Sequence, residues 1–217
     1  MNPSFFDALA YKISARSRKA KHAFFLEKIR PLAQETLLDV GVNAKEYSDT
    51  DNYLERFYQH PKNITAVSLD DVSALQKEYP RVTFVQADGT NLPFTDNQFD
   101  IAFSNAVIEH VGNQEEQGAF LQELIRVSKR GYLTTPNRFF PFEVHTRVPL
   151  LHILLPKRHF DAFLRCIGKS WATGNYMTLL SYKELTALAK QSSAAEFHIY
   201  KNRFCGFTMT LTLLWKK

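Results

Sequence analysis

The sequence predicts an open α/β sheet, mainly parallel, with helices on both faces. After Pro31, short apolar runs bounded by turn residues alternate with stretches of helical character, and parallel neighbours need crossovers of that kind. The 217 residues, 45% hydrophobic and 23% charged, have the composition of an ordinary globular domain. A chain of that length buries about 70% of its unfolded surface and needs neither metal nor disulfide to support a core.

The first 30 residues place Phe5, Phe6, Leu9, Ile13, Phe24, Phe25 and Ile29 at roughly helical spacing, with Lys12, Arg16, Arg18, Lys19 and Lys21 between them. This predicts one or two amphipathic helices docked on the core with a solvated basic face. Contact with a membrane or an anionic substrate is the second reading of that face.

Strands are expected at Leu37–Val40, Ile64–Val67, Val82–Val85, Phe99–Phe103 and Gly131–Thr134, with helices near 51–60, 70–79, 114–129 and 182–191. Ser181 followed by Glu184 is a capping box that starts the last helix. Two further strand-like pieces, Glu196–Tyr200 and Thr208–Trp215, suggest a closing hairpin with one antiparallel strand. No internal repeat or low-complexity linker interrupts the chain.

Lys and Arg exceed Asp and Glu by 27 to 22, a net charge of +5, which suits anionic partners without demanding them. Cys166 and Cys205 are far apart and form no CxxC, which argues against a zinc site and against a disulfide framework and suits a reducing compartment. No metal is expected. The longest apolar run, around Val148 to Leu155, falls far short of the roughly 20 residues that cross a bilayer. The expectation is a soluble, cytoplasmic protein.

Ligands of an open α/β sheet bind beyond the carboxyl ends of its strands, so the residues just past each strand are the informative ones. Asp39-Val40-Gly41 follows the first strand, where a carboxylate can accept from a ligand and a glycine lets backbone approach it. Asp88-Gly89 follows the third, where an acceptor could take a proton from an adenine amino group, or simply make a turn. The stretch from Phe99 to Val111, ending Glu109-His110-Val111, is the most specific in the chain.

From Asp88 to Val111 the sequence resembles the class I S-adenosylmethionine-dependent methyltransferases of the type 11-like branch. Their pattern is D-x-x-x-L-P-F-x-D-x-x-F-D-x-x-x-S-x-x-x-x-E-H-V. Thr134 to Thr146, reading T-T-P-N-R-F-F-P-F-E-V-H-T, is similar to the segment after strand five in one subgroup of that family. The resemblance implies a Rossmann-like, doubly wound seven-stranded sheet, mostly parallel with one antiparallel strand. It divides one domain over 1–217 into an N-terminal helical segment (1–33), a cofactor-binding core (34–146), a helical lid insertion (147–177) and a C-terminal helix and strands (178–217).

What the resemblance implies at the site is S-adenosylmethionine across the strand ends. Asp39 and Gly41 face its methionine part, Asp88 with Gly89 contacts the adenine, and Asn105 lines the pocket. Ser68 and Leu69 stand where an acid usually holds the ribose, with Asp70 and Asp71 only nearby. Asn43 and Lys45 replace two further glycines, and the polar stretch Asn43 to Asp51 lengthens the loop. A cofactor without phosphate tolerates that loss better than a dinucleotide would.

Methyl transfer is an in-line displacement on an activated donor, so alignment dominates and a base is optional. His145, two residues after Glu143, is the first candidate for a catalytic or substrate-contacting group, with loop bracing as the alternative. His110 is the second, with a hydrogen bond that fixes the loop as its bland reading. His152 and His159 are expected on the lid surface. The insertion, with Val148, Leu150, Leu151, Ile153, Leu154 and Leu155 beside Lys157, Arg158 and His159, is expected to be a helical lid packed on the sheet. Its sharper reading is a cover for a lipid-linked or amphiphilic acceptor near a membrane.

The expected acceptor is a small molecule, glycan or lipid-linked compound methylated on oxygen. Nucleic acid is disfavoured, because Ser104-Asn105-Ala106-Val107 is not N/D-P-P-Y/F and no basic, aromatic stripe runs along the chain. A scaffold that keeps an eroded fold is the competing reading, and a nucleotide-dependent oxidoreductase the remotest.

Overall fold

The computed structural model describes residues 5–46, 51–143, 145–174 and 177–217, with side chains from residue 15 onward. The expectations placed on the side chains of Phe5, Phe6, Leu9, Lys12 and Ile13, on residues 47–50 of the long loop and on residues 175–176 of the insertion lie outside the described residues.

The strands are β1 (Leu37–Val40), β2 (Ile64–Ser68), β3 (Thr83–Gln86), β4 (Phe99–Asn105), β5 (Ser128–Pro136), β6 (Glu196–Phe204) and β7 (Phe207–Lys216). The helices are α1 (Phe5–Ile29), α2 (Tyr53–Phe57), α3 (Ser73–Glu78), α4 (Gln114–Val127), α5 (Leu151–Leu154), α6 (Lys157–Cys166) and α7 (Tyr182–Gln191). The seven strands form one sheet in the order β3-β2-β1-β4-β5-β7-β6. Pairs from β3 to β5 are parallel, whereas β7 runs antiparallel to both β5 and β6. The order reverses between β1 and β4, which opens the crevice where such sheets take ligands.

Alternation along the strands separates two cores. Leu38, Val40, Leu133, Leu211 and Leu213 turn toward Phe120, Leu121 and Leu124 of α4 and Leu185 and Leu188 of α7. Leu37, Ile64, Ala66, Ile101, Phe103 and Tyr132 turn toward Phe25 and Ile29 of α1, Leu54 of α2 and Leu75 of α3. Phe103 and Tyr132 stack at 5.3 Å between ring centres, with Phe25 edge-on to both.

Several elements differ from expectation for identifiable reasons. The N-terminal segment is one continuous helix, and its basic residues do not all face water: Lys21 is half-buried, and desolvation brings its ammonium down to about 8. Helix α3 begins only at Ser73, where the Asp71 carboxylate accepts from the Ser73 backbone N–H and hydroxyl. Strands β5, β6 and β7 outrun their apolar cores because polar residues such as Arg130, opposite Lys216, continue the ladder. Cys205 and Gly206, both at positive φ, make the two-residue turn of the β6–β7 hairpin.

The insertion closes on a small core of its own, Val148, Phe160, Leu164 and Ala172, instead of merging with either face of the sheet. His159 is exposed as expected. His152 is not a surface residue: it is half-buried with Nε2 3.1 Å from the Arg138 carbonyl, so it ties α5 to the segment after β5. The capping box at Ser181 and Glu184 is present, and Asn113 with Glu116 forms a second one at the start of α4.

Gly131 sits opposite Trp215 across the β5–β7 ladder, and a Cβ there would lie 2.0 Å from the indole ring. The missing side chain is a slot for the buried Trp215 ring. Gly131→Ala is expected to cost about 1–3 kcal/mol by overpacking, read as a lower midpoint in thermal or denaturant unfolding. A midpoint equal to that of the parent chain would mean that the ring relocates freely.

Candidate active site

The carboxyl ends of β1, β2, β3 and β4 deliver the residues that the sequence singles out. Gly41 and Val42 donate their backbone N–H groups to the Val67 carbonyl at 2.8 and 3.1 Å, and Ala87 donates to the Ser68 carbonyl. Gly41 has φ +103°, and an added Cβ would lie 2.2 Å from Val107, so this glycine lets the segment after β4 close down on the end of β1. Gly89 plays the same part under Phe120, whose ring lies 2.5 Å from the position a Cβ would take.

Asp88 is exposed beyond β3. Its Oδ1 accepts from the backbone N–H and the hydroxyl of Thr90, both at 2.8 Å, so the Asp-Gly turn and an acceptor at the strand end coexist in one residue. Leu69, past the end of β2, is 71% exposed. Gln86 donates to its carbonyl, which fixes it beside the end of β3. Ser68 is buried, with its Oγ accepting from Asp70 N–H. Asn105 accepts from the Thr134 hydroxyl at 2.7 Å. Ala106 follows at φ 59°, a left-handed position for a residue with a side chain, and donates to the Thr134 carbonyl.

Asp39 is not open on its strand end. It is buried and faces the equally buried Glu55 of α2. Burial pushes both carboxyls up, Glu55 to about 7, with the Glu55 charge adding to the rise of Asp39 and the Glu46 charge to that of Glu55, so the pair holds a proton where an isolated carboxylate would not. The loop between them is clamped by polar contacts: Asn52 exchanges two 2.9 Å hydrogen bonds with the backbone of Asn43, and Glu46 accepts from Arg56 and the Tyr79 hydroxyl.

The ends of β4 and β5 bring His110 and His145 together, 35 residues apart in sequence. Their Nε2 atoms are 3.2 Å apart, with the rings edge to face. His145 Nδ1 lies 2.9 Å from Glu143 Oε1, which also accepts from the His145 backbone N–H, while Glu143 Oε2 accepts from Thr146 N–H. Burial alone would raise the Glu143 carboxyl, but these donors outweigh it and bring it down to about 2. Burial likewise opposes charge on His145, and the Glu143 carboxylate more than offsets it, raising that imidazole.

Four members of this cluster had no role assigned from sequence. Glu109, fully buried, accepts from the Thr135 hydroxyl at 3.0 Å through Oε2. Its negative charge acts on both Lys21 and His145. Glu143 anchors His145, Lys21 enters from α1, and Glu55 completes the pair with Asp39. The Glu-His dipeptide signals the first of these, and the Glu-x-His spacing the second. Nothing in the sequence signals Lys21 or Glu55, whose positions depend on how α1 and α2 pack.

Residues 38–134 match a family model described as a methyltransferase domain. An uncharacterized methyltransferase of Mycolicibacterium vanbaalenii is 35% identical over 89 residues, 40% of this chain and 33% of that protein. The match thus spans about a third of that relative's length. A Burkholderia thailandensis 1,6-didemethyltoxoflavin-N1-methyltransferase, solved with its substrate and S-adenosylhomocysteine, superposes with TM-score 0.59 at 15% identity, over 98% of this chain and 84% of that one. Phosphoethanolamine N-methyltransferase 2 of Haemonchus contortus superposes with TM-score 0.57 at 16% identity, over 86% of this chain and 39% of that one.

The Asp39–Glu55 pair has a stability consequence. Both carboxyls lie above their ordinary values, so the folded state binds more protons than the unfolded one. The stabilisation is complete below about pH 4, near the unfolded values, and is lost as pH rises through about 7. Glu55→Gln is expected to flatten that dependence, gaining on the order of 3 kcal/mol relative to the parent at pH 8. Denaturant unfolding at pH 5 and pH 8 tests it, and an unchanged difference between the two pH values would remove the pair as its source.

Proposed function

We propose that the chain, whose residues 38–134 match a methyltransferase domain and whose fold is that of S-adenosylmethionine-dependent methyltransferases, is itself such an enzyme and methylates an oxygen of a small-molecule, glycan or lipid-linked acceptor. The observation that carries the oxygen assignment is the Glu143–His145–His110 array beside the strand ends. An amine attacks through a lone pair that it already has, whereas a hydroxyl gains most when its proton has somewhere to go.

The residues present fit the cofactor. S-adenosylmethionine supplies, when bound, an electrophilic methyl group on a sulfonium that needs no further activation. Asp88 would accept from the adenine amino group, and the exposed Leu69 offers an apolar surface to the ring. Gly41 keeps the backbone clear at the end of β1, and Asn105 lines the crevice after β4. Ser68 offers a hydroxyl where the ribose would sit, in place of an acid.

Glu143 fixes the His145 tautomer with hydrogen on Nδ1, which leaves Nε2 a bare lone pair facing His110. The acceptor's proton passes to this imidazole pair as its oxygen forms the new bond to carbon, and Glu143 balances the charge gained. Lys21, its ammonium brought down to about 8 by burial, adds a second group that can change charge near physiological pH.

The insertion supports an amphiphilic acceptor. Leu150, Leu154, Ile167 and Trp171 expose their side chains on a unit that also carries Lys157, Arg158 and Arg165. That combination suits a peripheral approach to an anionic lipid surface. Among the described residues no helix is long and apolar enough to cross a membrane. A cytoplasmic location follows from the reducing environment that two unpaired cysteines suit.

Calorimetric titration with S-adenosylmethionine and S-adenosylhomocysteine is the primary test, with saturable micromolar binding of both expected. Absence of binding at millimolar ligand would overturn the proposal. Asp88→Ala is expected to weaken that binding about 10- to 100-fold, the worth of one hydrogen bond to a charged acceptor; equal affinity would remove Asp88 from the cofactor site. Once an acceptor is found, His145→Ala should lower turnover about 10²- to 10⁴-fold with cofactor affinity within twofold of the parent.

A further inference from the structure

Glu109, His110 and His145 each offer one ligand-type atom, and those atoms all lie within 4.8 Å of one another. We propose that these three side chains bind a divalent transition-metal ion of the zinc class and leave one coordination position open to the acceptor's oxygen. The proposal rests on the acceptor side of the crevice having been identified correctly, and it extends that reading from a pair of bases to a metal centre.

The first support is spacing. Imidazole nitrogens on a tetrahedral zinc ion lie about 2.0–2.1 Å from the metal, which places two of them about 3.3 Å apart. The two Nε2 atoms are separated by 3.2 Å. The second is orientation from outside: a metal-binding histidine characteristically gives its other ring N–H to a carboxylate, which fixes the tautomer and raises its basicity. Glu143 does this for His145, and is itself held by two backbone N–H groups.

The third observation is independent of the histidines. Glu109 is completely buried, and while Oε2 is taken by Thr135, Oε1 lies buried with no hydrogen-bond partner. An unsatisfied carboxylate oxygen in the interior costs about 1–3 kcal/mol or more. A cation between Glu109 and the two histidines would satisfy it. Among the cations whose charge reaches Glu109 are Lys21 and His145, neither of which donates to Oε1.

Two nitrogens and one oxygen form a borderline donor set that suits zinc, iron, nickel or cobalt better than magnesium or calcium, which favour oxygen alone. Three protein ligands and an open position are the arrangement of a catalytic site, not a structural one. An acceptor hydroxyl entering that position would lose its proton to solvent more readily, because the metal lowers its pKa. With the ion bound, His110 and His145 serve as ligands and the metal takes over the activation of the hydroxyl. The low cysteine count does not bear on a site built from histidine and glutamate.

The test uses the full chain, stripped with a chelator and titrated with Co²⁺, whose visible bands report coordination, and with Zn²⁺ in competition. One equivalent of Co²⁺ should bind and give a ligand-field spectrum that Zn²⁺ abolishes. His110→Ala and the isosteric Glu109→Gln should each remove that spectrum. Glu143→Gln, which touches only the outer shell, should weaken metal binding about 10- to 100-fold at unchanged stoichiometry. S-adenosylhomocysteine affinity and circular dichroism are measured on every variant. No saturable Co²⁺ binding by a folded parent chain that still binds S-adenosylhomocysteine overturns the metal site alone. Metal binding unchanged in folded His110→Ala and Glu109→Gln overturns it equally, whereas loss of S-adenosylhomocysteine binding by the parent strikes the methyltransferase reading instead.

Discussion

The site depends on the parallel pairing of β4 with β1 on one side and β5 on the other. That register sets Phe103 beside Asp39 and Asn105 beside Thr134, so three strands end at nearly one level. Beyond that level β4 has no ladder partners, while β5 pairs on only with β7, and the polar groups left on their facing edges must be met by loops. Ala106 meets the Thr134 carbonyl at the expense of a left-handed backbone, and Glu109 meets the Thr135 hydroxyl. These contacts carry the loop after β4 over the end of β5, where the loop after β5 brings His145 back against His110. The distance between the two imidazoles is therefore a property of the sheet register, not of either loop alone.

The same region concentrates buried carboxyl groups, and it manages them in two ways. Burial pushes the Asp39 and Glu55 carboxyls up, so they hold protons instead and their burial costs little charge. Glu143 is kept ionised by three N–H groups of its own loop. The difference follows from position. In the first pair burial outweighs the one backbone hydrogen bond that reaches Glu55, whereas Glu143 lies inside a tight turn whose amides converge on it. The negative charge is therefore concentrated on the side of His145 and Lys21.

Sheet and helices were legible because alternation and helical spacing are local signals, and all seven strands lie where apolar runs predict them. The strand-end residues were legible for the same reason, since the end of a strand fixes its neighbours in sequence. Distant partnerships were not. Nothing near Asp39 in sequence announces Glu55, and Lys21 reads as one more cation on a basic face until Phe25 and Ile29 dock α1 and turn it inward. Glu109 and His110 were visible as a pair, but their relation to His145 requires the β4–β5 register. His152 was misplaced because a histidine in a polar-looking insertion gives no sign that it will bond to the Arg138 carbonyl.

The insertion is added to this frame without disturbing the core. Its apolar residues form a separate cluster, so its sequence can vary while the sheet keeps its packing. It is nonetheless tied to the site at several points. Thr178 donates to the Glu109 carbonyl at 2.7 Å, Lys169 donates to the Thr146 carbonyl, and Gln117 of α4 bridges the Ile108 and Thr178 carbonyls. The C-terminal part of the insertion and the residue that follows it are thus fastened to the segments carrying Glu109 and His145. Any displacement of the insertion must therefore pull on the backbone carrying those side chains, which couples the position of its exposed apolar surface to the distance between Glu109, His110 and His145.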